Sequence, residues 1–439
     1  MKVFDSIDRQ PTELIRRVQD QIFLETIAYA CERSPYYRKA LDSQCLKPES
    51  IKSLEDISQL PFTERDDLQR FNQEFLSVPR NETAELVSTT GTTGEPAFIA
   101  MTKNDLERLA YNEERSFSCA GTVPGDFFHI AVTCDNLFIA GIAYYSGLLR
   151  LGASVVRVGP RNILRHIDLI KDLRPNGIVA VPSFIIRLAS LADEIGLNPV
   201  ELGIKKMVLI GDSIRDSSLN SNTSGKLIEE AFGDICYSTY GLTEGQISFC
   251  ECREKRGLHS HPELVIAEVV DDEGNSLPDN AEGELVITTL QTEGMPLIRY
   301  RTGDITFKIS SPCQCSRNSL RIGPILGRKH HKLKFKGVTI YPGTIENAIL
   351  GIKDIENFQI EAYTGDDGTD HIILRIGSHR KDRDFISSLT DALRSRARVT
   401  PAIKIESPES IAGRLHEKGS RKPIIFKDLR EKRPQGHEC

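Results

Sequence analysis

No run of apolar residues in this chain approaches the roughly 18 needed to cross a bilayer, and the opening stretch, MKVFDSIDRQPTELIRRVQDQ, is interrupted by charge throughout. The sequence therefore predicts no membrane span, no secretory leader and a cytoplasmic location. An excess of either charge is missing as well: 56 basic residues face 62 acidic ones, for a net charge of −6. That balance leaves no basic face for nucleic acid, and no block of like charges forms a tail. Internal repeats and low-complexity linkers are absent. Without a leader, the ten cysteines read as reduced thiols or metal ligands more readily than as a disulfide framework.

What is present is ordinary globular composition, 39% hydrophobic and 27% charged, over 439 residues, enough for two or three domains. Helical spacing (Leu14, Ile15, Val18, Ile22, Ile27) predicts a helical preamble over 10–45, ending near Ser34-Pro35. From about 125 to 235, short apolar runs (FFHIAVT, SVVRVG, GIVAVPS, KKMVLIGD) alternate with amphipathic stretches such as RHIDLIKDL, the pattern of a mostly parallel sheet covered by helices. After about 260, ELVIAEVVDDEGNSLPDN and GELVITTL predict a small antiparallel region with a hairpin turn. The fold class is thus α/β: a large N-terminal domain over 1–326, then a small mobile α+β domain over 327–439.

Four segments carry chemistry. In STTGTTGEP (88–96) small hydroxyl residues alternate with glycine, so backbone N–H and side-chain O–H groups can approach phosphate oxygens; no lysine closes it as in a P-loop. YSTYGLTEG (237–245) brings an aromatic face, a hydroxyl and a carboxylate together, suiting adenine, a phosphate and magnesium. GMPLIRYRTGD (294–304) ends in an aspartate after a Thr-Gly turn, able to accept both hydroxyls of a ribose, and GRKHHKLKFKGVTIYPGTIE (327–346) supplies an arginine for the same sugar. Separately, Cys252 and His259, with Cys313 and Cys315 about fifty residues on, form two short clusters suited to tetrahedral zinc, with Cys250 or His261 as substitute ligands.

In this order the four segments resemble the adenylate-forming superfamily of acyl-CoA synthetases, adenylation domains and luciferases. The likeness runs over nearly the whole chain. SPYYRK, LPFTERDDL, GELVITTL and MPLIRYRTGD are similar to the branch that holds the phenylacetate-CoA ligases. The resemblance implies that Ser88, Thr89, Thr90, Gly91, Thr92, Thr93 and Gly94 cover the ATP β- and γ-phosphates. Tyr240, beside Gly241, would stack on adenine, with Gly211 and Asp212 lining its pocket. Thr243 would contact the α-phosphate, Glu244 would hold magnesium, and Asp304 with Arg328 would bind the ribose. The usual G-K-x-x-R ending is absent, but anchoring on the terminal Asp-x-Arg of RKPIIFKDLR puts Lys422 in the catalytic lysine's place. Relatives read G-R-x-D-D at the domain hinge, whereas His330 stands at the hinge aspartate here.

The resemblance further implies a zinc at the Cys/His clusters, a homodimer, and an aromatic acid pocket at Asp135, Phe138, Ala140 and Gly141. There Asp135 replaces a tyrosine and would favour an amino- or hydroxy-substituted ring. The implied activity is an AMP-forming ligase that uses ATP and magnesium to activate an aromatic acid and transfers it to coenzyme A. Delivery to an amine, hydroxyl or carrier protein, and a non-catalytic nucleotide-binding protein, are the alternatives.

Overall fold

Pro35 ends one helix and begins the next. The apolar spacing from Leu14 onward forms a helix over Thr12–Arg33. The proline, which has no N–H to give, then sits in the first turn of a second helix, Pro35–Ser43, capped by the Ser34 hydroxyl. The expected preamble is therefore two helices. These coordinates are a computed structural model that describes residues 6–89, 97–335, 338–365, 370–397, 399–415 and 423–430. The chain forms two compact units, Met1–Ile325 and Leu326–Cys439.

The first unit is built on a nine-stranded sheet. Five parallel strands run in the spatial order Ser154–Arg157, Phe127–Ile130, Gly177–Ala180, Lys206–Leu209, Cys236–Leu242. Four antiparallel ones continue it: Ile247–Glu251, Leu258–His259, Arg321–Ile322 and Lys308–Ile309. Helices Ile139–Leu151, Ile163–Leu173, Pro182–Glu194 and Thr223–Phe232 supply the crossovers. Gly177–Ala180 is buried at every position, as a central parallel strand covered on both faces must be. Close packing there depends on Gly177: a Cβ at this residue would lie 2.5 Å from the ring of Phe128, whose burial contributes about 1.5–3 kcal/mol.

A second, antiparallel sheet in the same unit holds Val265–Val270, Gly283–Thr289 and Tyr300–Thr306, with an irregularity between Glu284 and Val286. Between its first two strands the chain turns at Asp271, whose carboxylate accepts from Asn275 N–H at 2.7 Å, with Gly274 at φ +90°. A hairpin, Glu85–Ser88 with Phe98–Met101, flanks the hydroxyl- and glycine-rich segment.

The second unit carries a hairpin, Leu333–Phe335 with Val338–Ile340, and a four-stranded sheet in the order Ala402–Glu406, Asp370–Gly377, Asn357–Thr364, Phe426–Asp428. Helices Pro342–Ile349 and Arg383–Ala392 complete it around a core that includes Ile345, Ile360, Leu374 and Leu389.

Candidate active site

Phe127–Ile130 lies between Ser154–Arg157, which follows it in sequence, and Gly177–Ala180, from which the strand order runs the other way. Such a reversal opens a crevice at the carboxyl ends of parallel strands. The loops at those ends, 131–138, 210–213 and 243–246, contain Asp135, Phe138, Gly211, Asp212, Thr243 and Glu244 of the residues singled out by sequence.

The last of these is a tight turn. Leu242 and Ile247 pair across it, Gln246 N–H donates to Thr243 O at 3.2 Å, and Gln246 adopts φ +51°. Gly245 lets the turn pack closely, since a Cβ there would come within 2.5 Å of the Ile287 Cδ1 and push that side chain aside. Thr243 is half-buried and Glu244 only 7% exposed.

Two side-chain contacts join this segment to the antiparallel sheet. The Tyr240 hydroxyl donates to Asp304 Oδ2 at 2.7 Å, and the Tyr300 hydroxyl donates to Glu244 Oε1 at 3.4 Å. Burial, reinforced by the Asp304 carboxylate, pushes the Tyr240 phenol well above its usual range, so it stays a donor. Asp304 follows a kink at Gly303 (φ +73°), and its N–H donates to Thr302 Oγ1 at 3.1 Å. The pair of carboxylates, Glu244 and Asp304, thus sits where the two sheets meet. Tyr300 was not among the residues chosen from sequence; its spacing of four from Asp304 on a strand was the available signal.

The base of the hydroxyl- and glycine-rich segment is well fixed. Thr89 is buried and accepts from Ala97 N–H at 3.1 Å through its hydroxyl, while Ser88 N–H donates to Leu137 O at 3.0 Å. That bond brings the 88–89 end against the loop proposed for the acid. Thr90, Gly91, Thr92, Thr93 and Gly94 lie outside the described residues, as does Lys422. Gly211 (φ +88°) and Asp212 are exposed on the neighbouring loop. Gly241 is exposed at the end of its strand. Arg328 and His330 belong to the second unit.

In the 131–138 loop Asn136 and Leu137 both have positive φ, and Phe138 caps the helix Ile139–Leu151. Phe138 and Ala140 are half-buried. Gly141 is buried, and a Cβ on it would meet Thr133 O at 2.2 Å. Asp135 is exposed. Water therefore solvates the Asp135 carboxylate, and burial does not force a polar ring substituent on it.

Away from the crevice, Cys252, His259, Cys313 and Cys315 place their donor atoms within 4.8 Å of one another. Cys252 Sγ and Cys313 Sγ are 3.7 Å apart, and Cys315 Sγ and His259 Nε2 are 3.4 Å apart. Donors about 2.0–2.3 Å from one ion at tetrahedral angles would be about 3.5–3.8 Å apart, so these two edges fit zinc. His259 Nδ1 lies 3.2 Å from Ser319 Oγ, a contact of the kind that orients a ligating imidazole. Arg317 reaches Cys315 Sγ at 3.6 Å and Asp8 at 2.8 Å, which offsets the surplus negative charge of three thiolates around a divalent ion. Burial alone would raise the Cys315 thiol, but hydrogen bonds from His259 and Arg317 outweigh it and bring it down to about 5, while burial pushes Cys252 up to about 12. The substitutes drop out: His261 Nε2 engages Ser116 Oγ at 2.9 Å, and Cys250 is outside the cluster.

No described helix is long and apolar enough to cross a membrane. Residues 23–293 match the family model described as AMP-binding enzyme. The chain is 36% identical over 354 residues to the phenylacetate-coenzyme A ligase of Thermus thermophilus, covering 80% of this chain and 78% of that protein. It is 30% identical over 367 residues to the enzyme of the same name from Pseudomonas putida, covering 82% and 81%. Among solved structures, a 2-hydroxyisobutyryl-CoA ligase in complex with an acyl-AMP, described as postadenylation, superposes with TM-score 0.82 at 22% identity, over 96% of this chain and 91% of that one. At that identity the likeness speaks for the fold.

Proposed function

This chain belongs to the AMP-binding enzyme family, in its phenylacetate-CoA ligase branch, as an AMP-forming acid–CoA ligase, and from that premise we propose that it activates an aromatic carboxylic acid. The observation that supports acid activation at this crevice is the meeting of Tyr240 with Asp304 and of Glu244 with Tyr300. Residues that would serve a nucleoside, a metal and a phosphate there lie within reach of one turn.

The reaction proceeds in two displacements. A carboxylate oxygen of the acid attacks the α-phosphorus of ATP, and pyrophosphate leaves. The thiol of coenzyme A then attacks the acyl carbonyl, loses its proton, and AMP departs. The first step brings two anions together, so the site must neutralise charge that develops on the phosphoryl oxygens. Glu244, beside the Thr243 hydroxyl, would hold magnesium, which when bound would supply part of that neutralisation. Thr243 would donate to an α-phosphate oxygen, residues 88–94 would serve the β- and γ-phosphates, and Lys422 would provide the second cation. Asp304, held in orientation by Tyr240, would accept the ribose hydroxyls, with Gly211 and Asp212 along the adenine; the role assigned to Arg328 is a second donor to the ribose.

We place the acid against Phe138, Ala140 and Gly141, with Asp135 at the rim, where it would meet a polar substituent on the solvent side of the ring. The preference for an aromatic acid draws support from the relatives named as phenylacetate-coenzyme A ligases. The Cys/His cluster would hold a structural zinc, and the second unit, hinged near His330, would act in turn on the two half-reactions.

Pyrophosphate release over a panel of aromatic and aliphatic acids, each with and without coenzyme A, tests the substrate class. Aryl acids are expected to give the highest kcat/KM, with thioester formed only when coenzyme A is present. Faster turnover of short aliphatic acids would overturn the aromatic assignment.

A further inference from the structure

Arg108 is fully buried on the helix Lys103–Cys119. Its guanidinium donates to backbone carbonyls on three separate segments: Nε to Leu290 O at 2.8 Å, Nη1 to Gln246 O at 3.0 Å, and Nη2 to Leu264 O at 2.6 Å. Gln246 closes the turn that bears Thr243 and Glu244. Leu264 precedes the first strand of the antiparallel sheet, and Leu290 follows the second. Leu264 and Leu290 already adjoin each other, Leu290 N–H donating to Leu264 O at 2.8 Å beside the Val265–Thr289 pair, and the planar fork of an arginine, with several donors in fixed geometry, ties the Gln246 turn to that paired edge.

The turn needs an outside hold. Within it runs a single long backbone hydrogen bond, from Gln246 N–H to Thr243 O, and Gln246 occupies a left-handed conformation that a β-carbon disfavours. Both polar atoms of the Gln246 side chain are buried without a hydrogen-bond partner among the described residues, so its side chain does not fix the turn. Arg108 therefore supplies a bond to the turn that the turn cannot supply for itself. Burial lowers the Arg108 pKa to about 10, still leaving the charge in place at neutral pH.

We propose that Arg108 is a positioning residue, a clamp that holds the Thr243–Gln246 turn at a fixed distance from the antiparallel sheet so that Glu244 and Asp304 address one nucleotide together. The inference rests on the nucleotide reading of this crevice. It assigns a function to a buried charge whose desolvation costs more than apolar packing at the same place would. Misplacing the turn by a fraction of an ångström would weaken the metal and phosphate contacts while leaving the acid pocket, built by another loop, almost untouched.

The test is steady-state kinetics of Arg108→Lys and Arg108→Met, with MgATP, free Mg2+ and acid varied separately and folding checked by circular dichroism. Arg108→Lys keeps the buried charge and guards against a fold lost with Arg108→Met. The expected result is a rise of about tenfold in the KM for MgATP and in the Mg2+ concentration at half-saturation, with the acid KM within about twofold of wild type. A folded Arg108→Lys enzyme with unchanged MgATP and Mg2+ dependence, or one in which only kcat falls, would overturn the clamp. So would an Arg108→Lys chain that does not fold, since it assigns the residue to stability alone. Wild-type AMP formation is the control: its absence would instead count against the reading of the crevice.

Discussion

Glu244 and Asp304 are both carboxylates at one rim, yet they are set for different work. Glu244 accepts from a phenol at 3.4 Å and neighbours a threonine hydroxyl, whereas Asp304 accepts a short 2.7 Å bond from Tyr240. Replacing Glu244 by Gln keeps the shape but removes the charge that attracts magnesium, so kcat is expected to fall about a hundredfold, with partial recovery at high Mg2+. A variant with normal Mg2+ dependence would take Glu244 out of that role. Asp304→Asn should instead raise the KM for ATP by about tenfold, through loss of a charged acceptor for the ribose, and an ATP KM within twofold of wild type would contradict it. Lys422→Ala is expected to slow adenylation by orders of magnitude, because its charge acts mainly in the transition state. A near-normal rate would mean that the register set by the terminal Asp-x-Arg is wrong.

Among the elements, those governed by local pattern could be read from sequence and those governed by distant contact could not. The alternation FFHIAVT, SVVRVG, GIVAVPS and KKMVLIGD became the parallel strands beginning at Phe127, Ser154, Gly177 and Lys206, because buried parallel strands write themselves as short apolar runs. Pro35 was read as a stop, but it is also a start, since its missing N–H costs nothing in a first turn. Arg108 carried no local signal, and Tyr300 only its spacing from Asp304. Their importance arises from partners 138 and 56 residues away in the chain, a separation that periodicity does not report. Asp135 shows the converse: a pattern match identified the loop, while its exposure is a property of the folded chain. The Cys/His cluster was legible down to its four members, Cys252, His259, Cys313 and Cys315, and the approach of the 252–259 and 313–315 segments removes the substitutes Cys250 and His261. Freshly purified protein should hold about one zinc per chain by elemental analysis, and Cys313→Ser should lose it and melt several degrees lower. Metal-free protein with an unchanged melting temperature would remove zinc from the account.

The first unit carries the crevice, the clamp and the Cys/His cluster. Within the second, Arg430 donates to His330 O at 2.9 Å and to Lys332 O at 2.8 Å, and the His331 ring packs 4.8 Å from that of Phe426. The segment around His330 is thus fastened to the last described strand, Phe426–Asp428, which lies just beyond Lys422. If the hinge and the lysine act together, Arg430→Ala should speed amide hydrogen exchange at 330–332 and alter the ratio of thioester formation to adenylation. Unchanged exchange would show that these bonds do not hold the segment.

Central to the whole account is attack by a carboxylate oxygen at the α-phosphorus, the step for which the crevice gathers its charges. Turning over an acid labelled with oxygen-18 in both carboxylate positions, with ATP and coenzyme A, and weighing the products by mass spectrometry follows that oxygen directly. The account predicts AMP carrying one labelled oxygen and pyrophosphate carrying none. Label in pyrophosphate or inorganic phosphate, or formation of ADP in place of AMP, would contradict it.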